Sequence, residues 1–291
     1  MIYPANLNLA ITAAARAMSA TADSRRSNVN KIASGSKLET LRTDTAAVGV
    51  SLKFKSEGAV SGALQSNMSE ALSYLGAQSD GLKQLGKYLD RMSELVTQMG
   101  DPTKTETDQS TYMGEFNQLR EEILKVHGAQ FNGLDLFYKQ GDSKALKVQL
   151  SATNSSATMD LKQTDLSQQT GWIALLGFAA PYTGLEGISD TPANLVDPNA
   201  LGGASFFEGM TQEVAQLMSA NGSQQSQLKL ALDHSRQTTL SMERAQGRIE
   251  DVDVATELTH LTRTNILMQS GSAMMTQANV AAQSVLKLYG L

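Results

Sequence analysis

The sequence predicts a mainly α protein: an elongated helical hairpin and coiled-coil trunk built from both chain ends, with a small β-rich and loop-rich central insertion. Three observations point there. A four-three spacing, apolar at every position but one, runs from Leu64 to Met99; both ends of the chain are almost free of charge; and between the helical halves the texture turns to alternation, then to proline and glycine. Aromatic residues make up only 5% of the chain and Trp172 is the single tryptophan, so elongated helix pairs fit better than large compact cores.

The first element is the amino-terminal run. Residues 1–22 carry only Arg16, and residues 264–291 carry only Lys287. Each is a helix-competent string of Ala, Leu, Ile, Met, Ser, Thr, Asn and Gln, too poor in charge to stay solvated alone. A terminus frays unless it is docked, so two matching neutral ends predict helices that order against each other or against neighbouring copies. Next, Leu64, Met68, Ala71, Leu75, Gln78, Leu82, Leu85, Leu89, Met92, Val96 and Met99 form the seam of a long helix that Gly100, Asp101 and Pro102 end. Gln78 is its one polar member. Gly76, Gly81 and Gly86 lie off the seam, each costing roughly 1 kcal/mol against Ala, so packing must hold the helix together. A second helix begins within residues 109–114 and spaces Tyr112, Phe116, Leu119, Ile123 and Val126 for antiparallel pairing with the first.

Residues 134–204 change character. The stretch KVQLSATNSSATMDL alternates like strands, and Pro181, Pro192 and Pro198 fall among glycines between Gly171 and Gly203. This reads as a hairpin or two followed by loops, too short for a large core of its own and packed as an outer piece on the helical trunk. Met210, Val214 and Leu217 then open a third helical stretch that continues through Leu228, Leu232 and Met242 towards Arg248.

Composition excludes several functions. A net charge of −5 leaves no electrostatic footprint for nucleic acid, and neither a basic surface helix nor an 18-residue apolar run predicts membrane insertion. The absence of cysteine removes disulfides, thiolate metal sites and thiol nucleophiles together. His127, His234 and His260 lie far apart, outside any zinc-protease pattern, and read as helix-surface histidines. No catalytic residue, cofactor or metal site is expected. The acidic cluster of Asp251, Asp253 and Glu257 reads as a helix start in preference to a cation site. Asn154-Ser155-Ser156 and Asn221-Gly222-Ser223 fit the glycosylation sequon, a short pattern with many false matches.

The most specific run is carboxy-terminal: Arg248-Ile249-Glu250-Asp251, Asp253, Ala255-Thr256-Glu257, Arg263, Ile266-Leu267, Gln269, Gly271, Met275, Gln277-Ala278-Asn279, Gln283 and Val285-Leu286. Together with Ile32-Ala33-Ser34-Gly35, Asp44-Thr45-Ala46-Ala47, Asp90-Arg91-Met92-Ser93-Glu94-Leu95 and Gln130-Phe131-Asn132-Gly133, it resembles bacterial flagellin. Residues 38–42 and Val48-Gly49-Val50 depart from the family pattern. The resemblance implies a filament subunit whose inner coiled coil is residues 1–43 with 249–291, whose helical trunk is 44–138 with 205–248, and whose outer segment is 139–204. It implies polymerisation contacts at Leu7, Ile11, Met18, Leu261, Ile266, Met274, Val285 and Leu288. It also implies a homo-polymer with an export chaperone, hook-associated proteins and cap proteins as partners, working outside the cell in the flagellum after export without a cleaved signal peptide. Periplasmic and sheathed filaments remain open. Arg91, Leu95 and Glu122 match positions by which many flagellins are recognised by an innate Toll-like receptor, while Asp90 and Lys125 differ from the usual Gln and Arg. The alternative reading is a flagellin-like hook-filament junction adaptor.

Overall fold

The computed structural model describes residues 3–38, 44–137, 146–152, 154, 156–164, 166, 172 and 204–288; for residues 3–11, 282 and 285–288 the description is confined to the helix they belong to. Among these residues the chain forms five helices: α1 (Tyr3–Ser34), α2 (Thr45–Met99), α3 (Glu106–His127), α4 (Ala204–Glu250) and α5 (Val254–Leu288). Two antiparallel hairpins lie between α3 and α4, β1 (Gln130–Phe131) with β2 (Leu134–Asp135) and β3 (Leu146–Gln149) with β4 (Thr158–Leu161). The fold is mainly α, as the sequence predicts. It divides into two compact units: a trunk, Val60–Thr238, and a terminal unit made of Met1–Ala59 with Thr239–Leu291.

The trunk holds the apolar core. Every seam position expected between Leu64 and Met99 is buried, joined by Tyr74 and Leu95. Across this seam α4 runs antiparallel to α2, as Ser61 opposite Ser235 (3.2 Å), Gln78 opposite Asn221 (2.5 Å) and Asp90 opposite Thr211 (3.4 Å) record. Helix α3 folds back on α2, with Arg91 forked onto Glu115 at 2.7 and 3.1 Å, and Phe116 meets Phe207 of α4 edge-on at 6.0 Å.

The polar seam residue is satisfied within the fold. Gln78, 1% exposed, donates to the Leu136 carbonyl at 2.7 Å and accepts from Asn221, whose own oxygen accepts from Gln225 at 2.6 Å. A buried amide costs little when every lone pair and proton finds a partner, and much when one does not. The same network engages the nitrogen that the second sequon would glycosylate, because Asn221 is a core residue.

The β segments pack on this trunk. Asn132 and Gly133, with φ of 52° and 78°, make the two-residue turn between β1 and β2. Strand β3 pairs with β4 in the register Leu146 to Leu161 and Val148 to Met159, inside the stretch where alternation predicts strands. Leu161, Leu166 and Trp172 join the trunk core. Gly81 shows why a glycine interrupts α2: a Cβ there would come within 2.9 Å of the Phe137 ring, which docks into the notch.

Three details differ from the sequence reading. His127 is buried, not at the surface, and stacks on Phe137 with ring centroids 6.4 Å apart. Helix α3 starts earlier, at Glu106, because Thr105 and Asp108 form a reciprocal capping box. Its hydrogen bonds hold the Asp108 carboxyl below the ordinary range, Thr105 being the main cause. Helix α4 starts at Ala204, ahead of Met210, since Phe207 already belongs to the core.

Candidate self-assembly surface

The terminal unit is organised by the close of α1 and the opening of α5. Helix α1 ends at Gly35, whose φ of +70° suits glycine and lets its N–H reach the Lys31 carbonyl at 2.9 Å. The chain then lies against the end of α4. The Lys37 N–H donates to the Glu250 carbonyl at 2.8 Å, the Val252 N–H donates to the Gly35 carbonyl at 3.0 Å, and Lys37 Nζ reaches the Arg248 carbonyl at 2.6 Å. Glu250 also accepts from Ser51 and Gln246, both at 3.0 Å, and these bonds hold its carboxyl below the ordinary range, Gln246 being the larger cause. The two sequence runs Ile32 to Gly35 and Arg248 to Asp251 are therefore halves of one joint.

The acidic cluster separates into different tasks. Asp253 caps α5, accepting from the Ala255 and Thr256 N–H groups at 3.0 and 3.3 Å and from the Thr256 hydroxyl at 2.8 Å, which lowers its pKa. Glu257 turns inward to Lys31 of α1 at 3.5 Å. Asp251 bridges to Ser36 through the backbone. Among the described residues no group of His, Asp and Glu side chains converges as a metal site would require.

From Glu257, the positions of α5 turned towards α1 follow a four-three spacing: Leu261, Thr264, Met268, Gly271, Met275 and Ala278 are half-buried. The opposite faces of α5 are also apolar. Ile266 is 60% exposed, Met274 is 68% exposed, and Val254, Leu258, Leu267 and Val280 are open with them. Leu258, Thr262, Ile266 and Leu267 line a shallow apolar groove beside Arg263. A helix with large apolar side chains on more than one face gains stability by covering them. Yet the only buried side chains among the described residues of the terminal unit are Asn28, Ser51 and Glu257, all polar. Such exposed apolar surface marks an interaction site. No described helix is long and apolar enough to cross a membrane.

The residues expected to make polymerisation contacts fall into groups. Met18 and Leu261 are half-buried, whereas Ile266 and Met274 point away into the open. The side chains of Leu7, Ile11, Val285 and Leu288 lie outside those described. Of the three residues matched to receptor recognition, Arg91 is half-buried and bound to Glu115 and Glu94, which raises its pKa, and Glu122 pairs with Lys125 at 2.6 Å. Leu95 is fully buried, so its side chain is part of the trunk core and not of that surface. Sequence reading missed the Lys31–Glu257 pair, whose only signal is one lysine in the last turn of α1 and one glutamate in the first turn of α5.

These features define a helical structural protein whose core is complete in the trunk and whose terminal helices keep apolar faces for association. The description "Bacterial flagellin N-terminal helical region" matches residues 5–142, and "Bacterial flagellin C-terminal helical region" matches residues 205–289. A flagellin of Halalkalibacterium halodurans is 29% identical over 288 residues, covering 97% of this chain and 98% of the relative. The flagellar filament 33 kDa core protein of Treponema phagedenis is 26% identical over 289 residues, with coverage of 97% and 98%. A solved structure described as a flagellar hook-associated protein from Vibrio parahaemolyticus shares the fold, with a TM-score of 0.55 and 18% identity over 72% of this chain and 100% of that one.

The chain belongs to the bacterial flagellin family, and is a structural subunit of the flagellar filament. The junction-adaptor alternative is not favoured, since both family descriptions and these sequence relatives are of flagellins or filament core proteins.

Proposed function

We propose that the subunit polymerises through α1 and α5, with Ile266 and Met274 at the contacts between copies and Met18 and Leu261 holding the two helices of one chain together. The observation that carries this is the terminal unit's lack of any buried apolar side chain among its described residues, against an α5 that is apolar on its open faces. Covering an Ile- or Met-sized side chain contributes about 1.5–3 kcal/mol, which a neighbouring copy supplies in the filament. A contact repeated by rotation and rise builds an open helical polymer. The chain acts as a building element and not as an enzyme.

In this reading the ends are ordered by assembly, which offsets their conformational entropy, and the subunit leaves the cell unfolded without a cleaved signal peptide. An export chaperone that covers the α5 apolar faces beforehand, and cap and hook-associated proteins that meet the filament ends, complete the set of partners. A Toll-like receptor would meet Arg91 and Glu122, both half-buried at the trunk surface, without the Leu95 side chain. Electron microscopy of seeded chain tests the central claim: the full chain forms long tubes, and a chain lacking residues 261–291 stays monomeric with its trunk folded. Tubes formed by the truncated chain would overturn it.

A further inference from the structure

On its α5 side the seam with α1 is uncharged beyond Glu257 and repeats every seven residues, Leu261, Met268 and Met275 alternating with the small Thr264, Gly271 and Ala278, so a slip of one heptad sets like in the place of like. One rung differs. Glu257 and Asn28 are the two buried side chains of this helix pair among the described residues, each 9% exposed, and Lys31 beside them keeps 26% of its side-chain surface. Lys31 Nζ lies 3.5 Å from Glu257 Oε1. With its amide turned as the neighbouring acceptors dictate, Asn28 donates to the same oxygen at 2.9 Å and to the Ser24 carbonyl at 3.0 Å. His260 and Arg263 border the same cleft, so Glu257 is the one carboxylate there among three basic side chains.

We infer that the Asn28–Lys31–Glu257 rung is the register key of the terminal helix pair: it fixes which residues of α1 oppose α5 within one chain, and so aligns the apolar faces that copies share. The inference rests on the filament-subunit reading for its consequence and on geometry alone for the register. A one-heptad slip would set Ser24 against Glu257 in place of Lys31 and leave a carboxylate unpaired away from water. Removing one partner of a buried pair is far more costly than exchanging both, and a polar residue in an apolar seam is a well-attested means of fixing register. Glu257 and Lys31 are positioning residues here, acting through the alignment of α5 and not through contact with a neighbour.

Charge reversal separates this from a merely local effect of helix ends. Seeded growth is compared for the parent chain, Lys31→Glu, Glu257→Lys and the double reversal. Each single reversal is expected to slow growth at least about tenfold, and the double reversal to return it to within about threefold of the parent. Glu257→Lys is the worse single change, since it gathers four basic groups in one cleft.

Single variants that grow like the parent would overturn the inference. So would a double reversal no better than the worse single, which would assign the loss to helix dipoles, or an equimolar mixture of the two single variants growing like the parent, which would assign the pair to different chains. Register is also read without filaments. The chain has no cysteine, so Ser24→Cys with Thr264→Cys, two positions bordering the same cleft, gives a clean disulfide probe in each background. Cross-linking is expected to fall at least about fivefold in the single reversals and to recover in the double. Equal cross-linking in all four backgrounds would overturn the register role even if growth changed. A parent chain that cross-links but never grows would count against the filament reading and leave the register key standing.

Discussion

In the trunk, the α2 seam buries one large side chain after another, with Leu75, Leu82, Leu85 and Leu89 fully inaccessible. Helix α5 repeats the same four-three spacing but sets Thr264, Gly271 and Ala278 between Leu261, Met268 and Met275, all six only half-buried, and leaves Ile266 and Met274 open. The period of the two seams is the same; the volume placed on it is not. Large residues complete a core within one chain, because each gains its contacts from the chain's own α3 and α4. Small residues allow helices to approach but leave little area to hold them, so stability must come from faces that one chain cannot cover. The contrast teaches that the trunk is a finished domain and the terminal unit an unfinished one.

The largest effect should come from exchanging a mutation between the units. Leu85→Ala leaves a cavity in the trunk and is expected to destabilise the free chain by about 3 kcal/mol in denaturant titrations. Ile266→Ala should leave that midpoint unchanged while raising the concentration needed for filament growth. If Ile266→Ala lowers the monomer midpoint as much as Leu85→Ala, the distinction between the units fails.

The trunk's polar rung is the next test. Gln78→Leu strands the amide of Asn221 and should cost about 1–3 kcal/mol, whereas Gln78→Leu combined with Asn221→Leu should recover most of that, as read from the same titrations. The glycines of α2 should respond with opposite signs and effects no larger than that. Gly76 has open space around its missing Cβ, so Gly76→Ala should stabilise by up to about 1 kcal/mol. Gly81→Ala drives a methyl into Phe137 and should destabilise by about 1–3 kcal/mol.

The weakest effect is on pH. Burial pushes the Glu213 carboxyl above its ordinary value of 4.5, against a smaller opposing influence of the nearby Trp172. A raised acid favours the folded trunk at low pH, and that contribution is lost as pH rises through the folded value. Trunk melting temperature, followed through the emission of the lone tryptophan, should therefore gain from Glu213→Gln on the alkaline side of that value and change little on the acid side. The opposite dependence would assign Glu213 a stabilising charge.

What was legible in the sequence follows from the same contrast. Every residue of the Leu64 to Met99 seam is buried because a long run of bulky apolar side chains at helical spacing has one way to leave water. The start of α3 was less legible, since its capping box uses Asp108 where glutamate or glutamine is the usual signal. His127 and Asn221 look like surface residues in a list of amino acids; their burial depends on Phe137 and Gln78, which are distant in the chain or on another element. In the terminal unit the pattern announced apolar helices, but it could not separate Leu261, turned towards α1, from Ile266, turned away, because both sides of α5 are apolar.

Hydrogen–deuterium exchange on free chain and filament compares the two units directly. The amides of α2 between Leu64 and Met99 should be protected in both states, while those of α5 exchange rapidly in the free chain and become protected in the filament. Strong protection of α5 in the free chain, unchanged on assembly, would contradict the account, because the terminal unit would then be complete without its neighbours.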